Sequence, residues 1–437
     1  MRKSKVAAVL LIVLGITFLS GCAAQSHMPA DIIRIDLSAP NKSAPTGLAY
    51  LYELVTVDDS YDYLAHPDSI LLQNGDILSL YPAGHGKGAI LSKISTDKGK
   101  TWQSSLAQTP QSWVYSQETP TIYRLLFTDN SSKLIMISAN PKWNKLRGDG
   151  FNVSLSNDEC TFSEFVKFWG KDSSFPTSPI VAMSSLTRLK ENGQFIDAWM
   201  GLFHDHNFIN YRTILTFDAN GNMCWSKPEP YLAKYRRIEK KAAICEAEVI
   251  RSDAGLGDEL CLIARSNGKS GKKNYNSMIM FSGDEGKTWS EPKPVLAPLN
   301  GERHKAVYVG DRLFITFRSI ERDPVLVKQY KEKGRNWYSQ GWVAWVGSYS
   351  DLKQGQAGEY RIKLAHTYLP KQASPAPVAN ADTGYSGVVV LEDGTIVCCS
   401  YGTFGNKTSK GAYKTYIAGK RIKLEDLDEL AIALGYK

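Results

Sequence analysis

A chain of 437 residues and 48.5 kDa can bury a large core, and its length alone predicts two or three domains. With 43% hydrophobic, 22% charged and 11% aromatic residues, it is neither a disordered nor a collagen-like chain. A net charge of +8 with no Lys/Arg-rich run argues against a nucleic-acid partner, and 35 Gly, 10 Trp and 22 Tyr lean toward an all-β fold with many turns and aromatic-lined sugar sites.

The first residues read as an address. Arg2, Lys3 and Lys5 precede the apolar run Val6–Leu19, which is too short to span a bilayer comfortably. Leu19-Ser20-Gly21-Cys22 follows and resembles the bacterial lipoprotein box. The resemblance implies loss of residues 1–21, lipidation of Cys22, and an exported protein anchored to a membrane at the cell surface or in the periplasm. A polar tether is expected over residues 22–43, with the folded body over 44–437. The cysteines after Cys22 form no C-x-x-C pair and have no zinc spacing, so most are expected as small buried apolar residues.

The body of the chain repeats. Ser95-Thr-Asp97-Lys-Gly99-Lys-Thr101-Trp102 recurs as Ser282-Gly-Asp284-Glu-Gly286-Lys-Thr288-Trp289, both of the form S-x-D-x-G-x-T-W. Weaker copies are Ser156-Asn-Asp158-Glu-Cys160-Thr161-Phe162 and Asp218–Ser226. Their closing aromatics, at 102, 162, 225 and 289, are spaced by 60, 63 and 64 residues. In such a turn Asp and Ser tie down amides, Gly takes a positive φ, and the aromatic packs between neighbouring sheets. Hairpin signals lie at Asn74-Gly75, Asp129-Asn130, Asn192-Gly193, Asp253-Ala254-Gly255, Gly310-Asp311 and Asp393-Gly394, each flanked by short β-rich runs. Six hairpins predict an all-β, six-bladed β-propeller of four-stranded antiparallel blades. A strand near Ile32–Leu37 is expected to complete the last blade beside Tyr416–Leu424, and Leu424–Leu434 reads as a terminal helix.

In a propeller, residues just before each blade's first strand face one mouth of the channel. Counting back nine from Gly75, Gly255 and Gly394 gives His66, Glu246 and Tyr385. Blade 5 places Arg303 and His304 in nearly the same register, and blade 2 offers Glu118, Tyr123 and Arg124. Ionisable residues at the inner start of several blades suggest a convergent site.

The S-x-D-x-G-x-T-W repeats resemble the Asp-box, or BNR repeat, of the sialidase superfamily. The likeness extends over nearly all of residues 45–425. Cys245-Glu246-Ala-Glu248, followed by Leu262-Ile-Ala-Arg265, is similar to the sialidase segment that carries the nucleophile's Glu partner and an arginine of the carboxylate-binding triad. Thr383-Gly384-Tyr385-Ser386-Gly387 is similar to the segment with the tyrosine nucleophile, and Gly301-Glu-Arg303-His304 stands where the third arginine is expected. The resemblance implies an exo-acting glycoside hydrolase that releases a terminal acidic sugar, sialic acid or a related ulosonic or uronic acid, with Tyr385 as nucleophile and Glu246 as its base. A neutral phenol avoids the repulsion that a carboxylate nucleophile would meet at such a sugar, and arginines clamp the substrate carboxylate bidentately.

The chain departs from the sialidase pattern in blade 1. Leu64-Ala65-His66-Pro67-Asp68 keeps the proline of an Arg-Ile-Pro run but lacks its arginine, and the loop Tyr81–Gly88 lacks the general-acid Asp. Asp68 is therefore the first choice for acid/base and His85 the second, while Lys87 or His66 is expected to replace part of the missing cation. Arg124 and Arg318 are further candidate clamps. Phe203-His204-Asp205-His206 reads as a pocket-rim loop touching sugar hydroxyls in preference to a metal site. Trp342 and Trp345 serve either sugar stacking or the core. No cofactor or metal is expected. The partners are a glycan or acidic oligosaccharide and a membrane reached through the lipid, and the protein is expected as a monomer. Two other readings remain: a non-catalytic carbohydrate-binding propeller, and a polysaccharide lyase on the same fold.

Overall fold

The computed structural model describes residues 28–437 except 30, 87, 104, 142–148, 236, 239–241, 269–275, 321–327, 329–340, 369–379 and 381. The signal segment and Cys22 lie outside the described residues. The rest forms six small, mainly antiparallel sheets arranged as the blades of one propeller. The six hairpin turns join neighbouring strands of one blade, the first and second except in blade 4, where Arg237–Ile238 precedes the pair. Asn74-Gly75, for instance, links Asp68–Leu71 to Ile77–Pro82, and Asp393-Gly394 links Ser386–Val390 to Ile396–Gly402.

The four Asp-box copies follow the third strand of blades 1 to 3 and the fourth, Met278–Ser282, of blade 4. In the first, the Asp97 carboxylate accepts hydrogen bonds from the amides of Lys100 and Thr101 and from the Ser95 and Thr101 hydroxyls. Asp284 does the same for Thr288 and Ser282. Each box packs against the preceding blade. Trp102 joins Val397, Cys399 and Ile417 of blade 6, Phe162 joins Leu78 and Leu80 of blade 1, and Trp225 meets Phe151 of blade 2 at 5.3 Å. The turn glycine is required twice over. Gly99 has a φ of 78°, and a Cβ there would stand 2.7 Å from Val397 Cγ1.

Strand counts depart from a uniform four. Blade 1 has three strands among the described residues, while blades 3, 4 and 5 have five. The N-terminal strand is also corrected. Ile33–Asp36 pairs in parallel with Tyr360–Ala365 as the fifth strand of blade 5. The last blade is completed by Val55–Asp58, antiparallel to Tyr416–Ile422. Val55–Asp58 leads into blade 1, so it reaches the ring closure by the shorter path. Ile32, Ile35 and Leu37 are buried, so the expected tether over 22–43 overlaps the folded body. The terminal helix runs Leu424–Ala433 as expected. Cys245, Cys261, Cys398 and Cys399 are buried free thiols, while Cys160 and Cys224 are exposed.

Candidate active site

The inner strands bend where they reach the channel mouth. His66, Val181, Glu246 and Arg303 adopt φ values of 51°, 49°, 50° and 55°, at or just before the first hairpin strands of blades 1, 3, 4 and 5. In blades 3, 4 and 5 the ladder slips in register at this position, as in a β-bulge. Left-handed backbone at non-glycine residues, a β-branched valine among them, is sparsely populated and concentrates at functional sites. In blade 6 the left-handed residue is Gly384, with a φ of 87°, immediately before Tyr385.

These bends surround a cavity of about 700 Å³. His66, His85, Glu118, Glu246, Arg265, Arg318, Asp382, Tyr385 and Tyr401 supply its polar lining. Tyr385 and Glu246 line the same cavity and bear on each other's ionisation. Arg265 Nη1 donates to Glu246 Oε1 at 2.9 Å, and Glu246 Oε2 is buried without a hydrogen-bond partner among the described residues. Arg265 Nε lies 3.2 Å from Glu302, and Arg318 pairs with the other oxygen of Glu302. Burial alone would raise the Glu246 carboxyl. Arg265, His204, the phenol and Arg318 outweigh it and hold the group below its ordinary value, so it is ionised at neutral pH. The same burial, with Glu246 alongside, pushes the Tyr385 phenol far up against the pull of Arg265 and Arg318. The result is a protonated phenol beside a carboxylate able to take its proton. Arg303 and Arg318 lie 5.8 and 5.7 Å from the Tyr385 ring centroid, within cation–π range.

The other wall holds more titratable groups. The His66 ring centroid is 4.4 Å from that of Tyr385 and 4.8 Å from those of His85 and Tyr401. Asp382 accepts hydrogen bonds from Tyr63 at 2.6 Å and Tyr401 at 3.1 Å, and His85 Nδ1 stands 2.6 Å from the same Tyr63 hydroxyl. Glu118 is fully buried, and burial first and Glu246 second raise its carboxyl to about 7.

The BNR repeat-like domain model matches residues 83–362, more than half of the chain. The chain belongs to the BNR repeat-like domain family. The match bears out the resemblance of the Asp-box repeats to the sialidase superfamily. Among curated proteins, none matches the sequence significantly. Solved structures similar to the chain include a Dyadobacter fermentans protein of unknown function, at 15% identity and a TM-score of 0.51 over 84% of this chain and 97% of that one. Another is the Fusarium graminearum α-L-arabinofuranosidase in complex with an iminosugar inhibitor, at 12% identity and 0.52 over 85% and 98%. A third is the Penicillium chrysogenum α-L-arabinanase complexed with arabinobiose, at 13% identity and 0.51 over 85% and 98%.

Several candidates of this BNR-repeat propeller sit elsewhere. Asp68 is absent from the cavity wall. Its Oδ1 accepts the Ser69 amide and lies 3.6 Å from Lys305 Nζ, and its Oδ2 accepts the Ile122 amide, so it ties blades 1, 2 and 5 together deeper in the channel. Arg124 is a structural tie: it pairs with Glu159 and donates to the Leu71 carbonyl beside the Asn74-Gly75 hairpin, the end of the blade away from the cavity. His304 donates from Nε2 to the Leu299 carbonyl at 2.8 Å and packs on Phe317. Arg303 donates to the Ser184 carbonyl at 2.9 Å and stands behind Tyr385, off the cavity wall. His66 cannot replace the missing cation, because burial first, then His85 and three arginines, keep its imidazole neutral. Lys87 lies outside the described residues.

His204 is buried, stacks on Phe208 at 5.6 Å, and acts on Glu246 from behind. Asp205 caps its own turn by accepting the Asn207 and Ile209 amides. Trp342 and Trp345 are fully buried, with their indole N–H groups on Thr316 and the Ala357 carbonyl, so both belong to the core. Sequence reasoning missed Asp382, Tyr401 and Glu302, and it passed over Glu118 in favour of Arg124. A usable signal was there for two of them: Glu302 adjoins Arg303, and Asp382 stands three residues before Tyr385.

Proposed function

We propose that the protein is an exo-acting glycoside hydrolase that releases a terminal sugar from a glycan, with Tyr385 as nucleophile and Glu246 as the base that takes its proton. The observation that carries this reading is the buried phenol–carboxylate pair facing a cavity of about 700 Å³. A lectin needs no such pair, and a lyase needs a base poised over a sugar C–H. The acidic-sugar form of the reading, sialic acid or a related ulosonic or uronic acid, rests on Arg265 and Arg318 facing the same space.

One observation favours a neutral terminal sugar as a second reading. Arg265 is already matched by Glu246 and Glu302, and Arg318 by Glu302, so each of these two guanidinium groups has a carboxylate partner. A substrate carboxylate would compete with those partners. An uncharged sugar, such as the arabinose for which the Fusarium and Penicillium neighbours are named, would not. The protein is further proposed to act as a monomer held to a membrane through lipidated Cys22, so that Cys22→Ala moves it to the soluble fraction.

A panel of aryl glycosides of acidic and neutral sugars tests the reaction. Turnover of one sugar by the wild type, lost in Tyr385→Phe with binding of the released sugar retained, is the expected result. Full activity in Tyr385→Phe overturns the mechanism. A new unsaturated chromophore in the product identifies elimination in place of hydrolysis.

A further inference from the structure

Hydrolysis needs a second group, one that protonates the leaving oxygen and later activates water. Outside the Tyr385–Glu246 pair and its arginines the cavity offers five titratable side chains, of which the Tyr401 phenol, pushed far up by burial and hydrogen-bonded to Asp382, is no acid at neutral pH. Asp382 spends its oxygens on Tyr63 and Tyr401. His85 shares the Tyr63 hydroxyl and is mostly exposed, its side chain being 63% accessible. His66 is packed in tilted and edge contacts among the rings of Tyr385, His85 and Tyr401.

Glu118 differs from Asp382 and His85 in holding an unpartnered buried atom; His66 Nδ1 is also unpartnered, but burial keeps that imidazole neutral, so it has no acidic proton to give. Oε1 of Glu118 is fixed by the Thr119 amide at 3.0 Å and the Thr119 hydroxyl at 2.9 Å, which sets the orientation of the carboxyl. Its Oε2 is buried and has no hydrogen-bond partner, although the residue lines the cavity. A buried polar atom without a partner is costly unless the site uses it. Glycine at position 86 also keeps side-chain atoms off the carboxyl's other oxygen. A Cβ on Gly86 would stand 3.1 Å from Glu118 Oε1 and 3.7 Å from His66.

Resting on the glycosidase reading above, we propose that Glu118 is the acid/base of the reaction, with Oε2 as the atom that carries the proton. In the first step the Tyr385 proton passes to Glu246, the phenolate oxygen bonds to the anomeric carbon, and the bond to the leaving oxygen breaks. The Glu118 proton goes to that oxygen, and the aglycone departs as an alcohol. In the second step water gives a proton to Glu118 and its oxygen bonds to the anomeric carbon. The bond to Tyr385 breaks, and Glu246 returns the proton to the phenolate. The net change is one water consumed and one glycosidic bond cleaved. The groups facing Glu118 are His66 and His85 of blade 1, Thr119 of its own blade and Glu246 of blade 4. Among these the Glu246 carboxylate and the dry surroundings keep Glu118 protonated up to about 7, the state a general acid needs.

The test compares the full-length wild type with Glu118→Gln on two glycosides of the sugar found in the panel. One carries a dinitrophenolate leaving group that needs no proton, and the other an alkyl alcohol. Glu118→Gln is expected to lose about 10²- to 10⁴-fold in kcat/KM on the alkyl glycoside. On the dinitrophenyl glycoside it should release the leaving group in the first turnover at close to the wild-type rate. The alkaline limb of the wild-type profile, near 7, should disappear in the variant. Equal losses on both glycosides, or an unchanged profile, overturn the proposal.

A wild type inactive on every sugar in the panel counts against the glycosidase reading instead, and the assignment then stands or falls on an infrared titration. The difference between wild type and Glu118→Gln should show a carboxyl band that ionises near 7. Ionisation in the ordinary carboxylate range overturns the assignment of Glu118 whatever the substrate.

Discussion

At the residue scale, the site is an alternating chain of buried charges: Glu246, Arg265, Glu302 and Arg318. Each carboxylate bridges toward a guanidinium, and none can be removed without leaving an unmatched charge in a dry place. Breaking such a pair costs about 3–5 kcal/mol, much of it from the charge left behind. Glu246→Gln should therefore lose both turnover and stability, by roughly that amount in chemical denaturation. Tyr385→Phe removes one oxygen and keeps the ring between Arg303 and Arg318, so it should lose turnover with a stability change under about 1 kcal/mol. Equal stability losses in the two variants would mean that Tyr385 is part of the structural network and not free to react. Tyr385 and Glu246 were legible in the sequence because they sit nine residues before hairpin glycines, and Arg265 through the likeness of its segment to the sialidase pattern. Asp68 was misplaced for a physical reason: being two residues from His66 on a strand says nothing about which backbone amides will claim a carboxylate, and two did.

At the element scale, the repeats and hairpins were legible because turns need particular residues. An Asp that ties down a turn's amides and a glycine with a positive φ leave marks at fixed spacing. The bends at the channel mouth left none. His66, Val181, Glu246 and Arg303 are ordinary residues held in left-handed backbone, and only the ladder around them imposes that conformation. Blade 6 uses glycine at this place, which makes it the point to test. A Cβ on Gly384 would need a φ of 87° and would stand 2.5 Å from Arg318 Cα. Arg318 is backbone-close on one side and paired with Glu302 on the other, so neither partner can yield cheaply. Gly384→Ala is expected to cost about 1–3 kcal/mol of stability. It should also cut kcat more than KM, because it displaces Tyr385 and Arg318 together. A variant with wild-type kcat would show that the bend in blade 6 does not position the phenol. Gly310→Ala, at a hairpin whose Cβ meets nothing within 4 Å, is the matching control for backbone strain alone.

At the scale of the whole molecule, a ring of blades is stable only if it closes, and closure here uses two N-terminal strands. Val55–Asp58 closes blade 6, and Ile33–Asp36 widens blade 5. The sequence showed an apolar alternation near Ile32–Leu37 but not its partner, because pairing between distant segments is decided by where the chain lies once folded. A buried lysine also ties the segment that follows the Ile33–Asp36 strand to blade 6. Lys420, on the Tyr416–Ile422 strand of blade 6, is 1% exposed and donates from Nζ to the Leu37 carbonyl at 3.0 Å. Burial lowers its ammonium from 10.5 to about 8. For a lysine whose folded value is depressed, the unfolded chain binds the proton more tightly, so the charge costs stability at neutral pH. That cost is relieved as pH rises from about 8 toward 10.5. Lys420→Met should thus raise stability at pH 7, by on the order of 1–3 kcal/mol, and the advantage should shrink at alkaline pH. A chain beginning at Ser38 loses the buried Ile32, Ile35 and Leu37 together with the Lys420 partner, and should lose about 3–6 kcal/mol against a chain beginning at Asp31. Urea titrations of the four proteins at pH 7 and at pH 10 decide the matter. If the chain from Ser38 is as stable as the longer one, the fifth strand of blade 5 is an ornament and the ring closes through Val55–Asp58 alone.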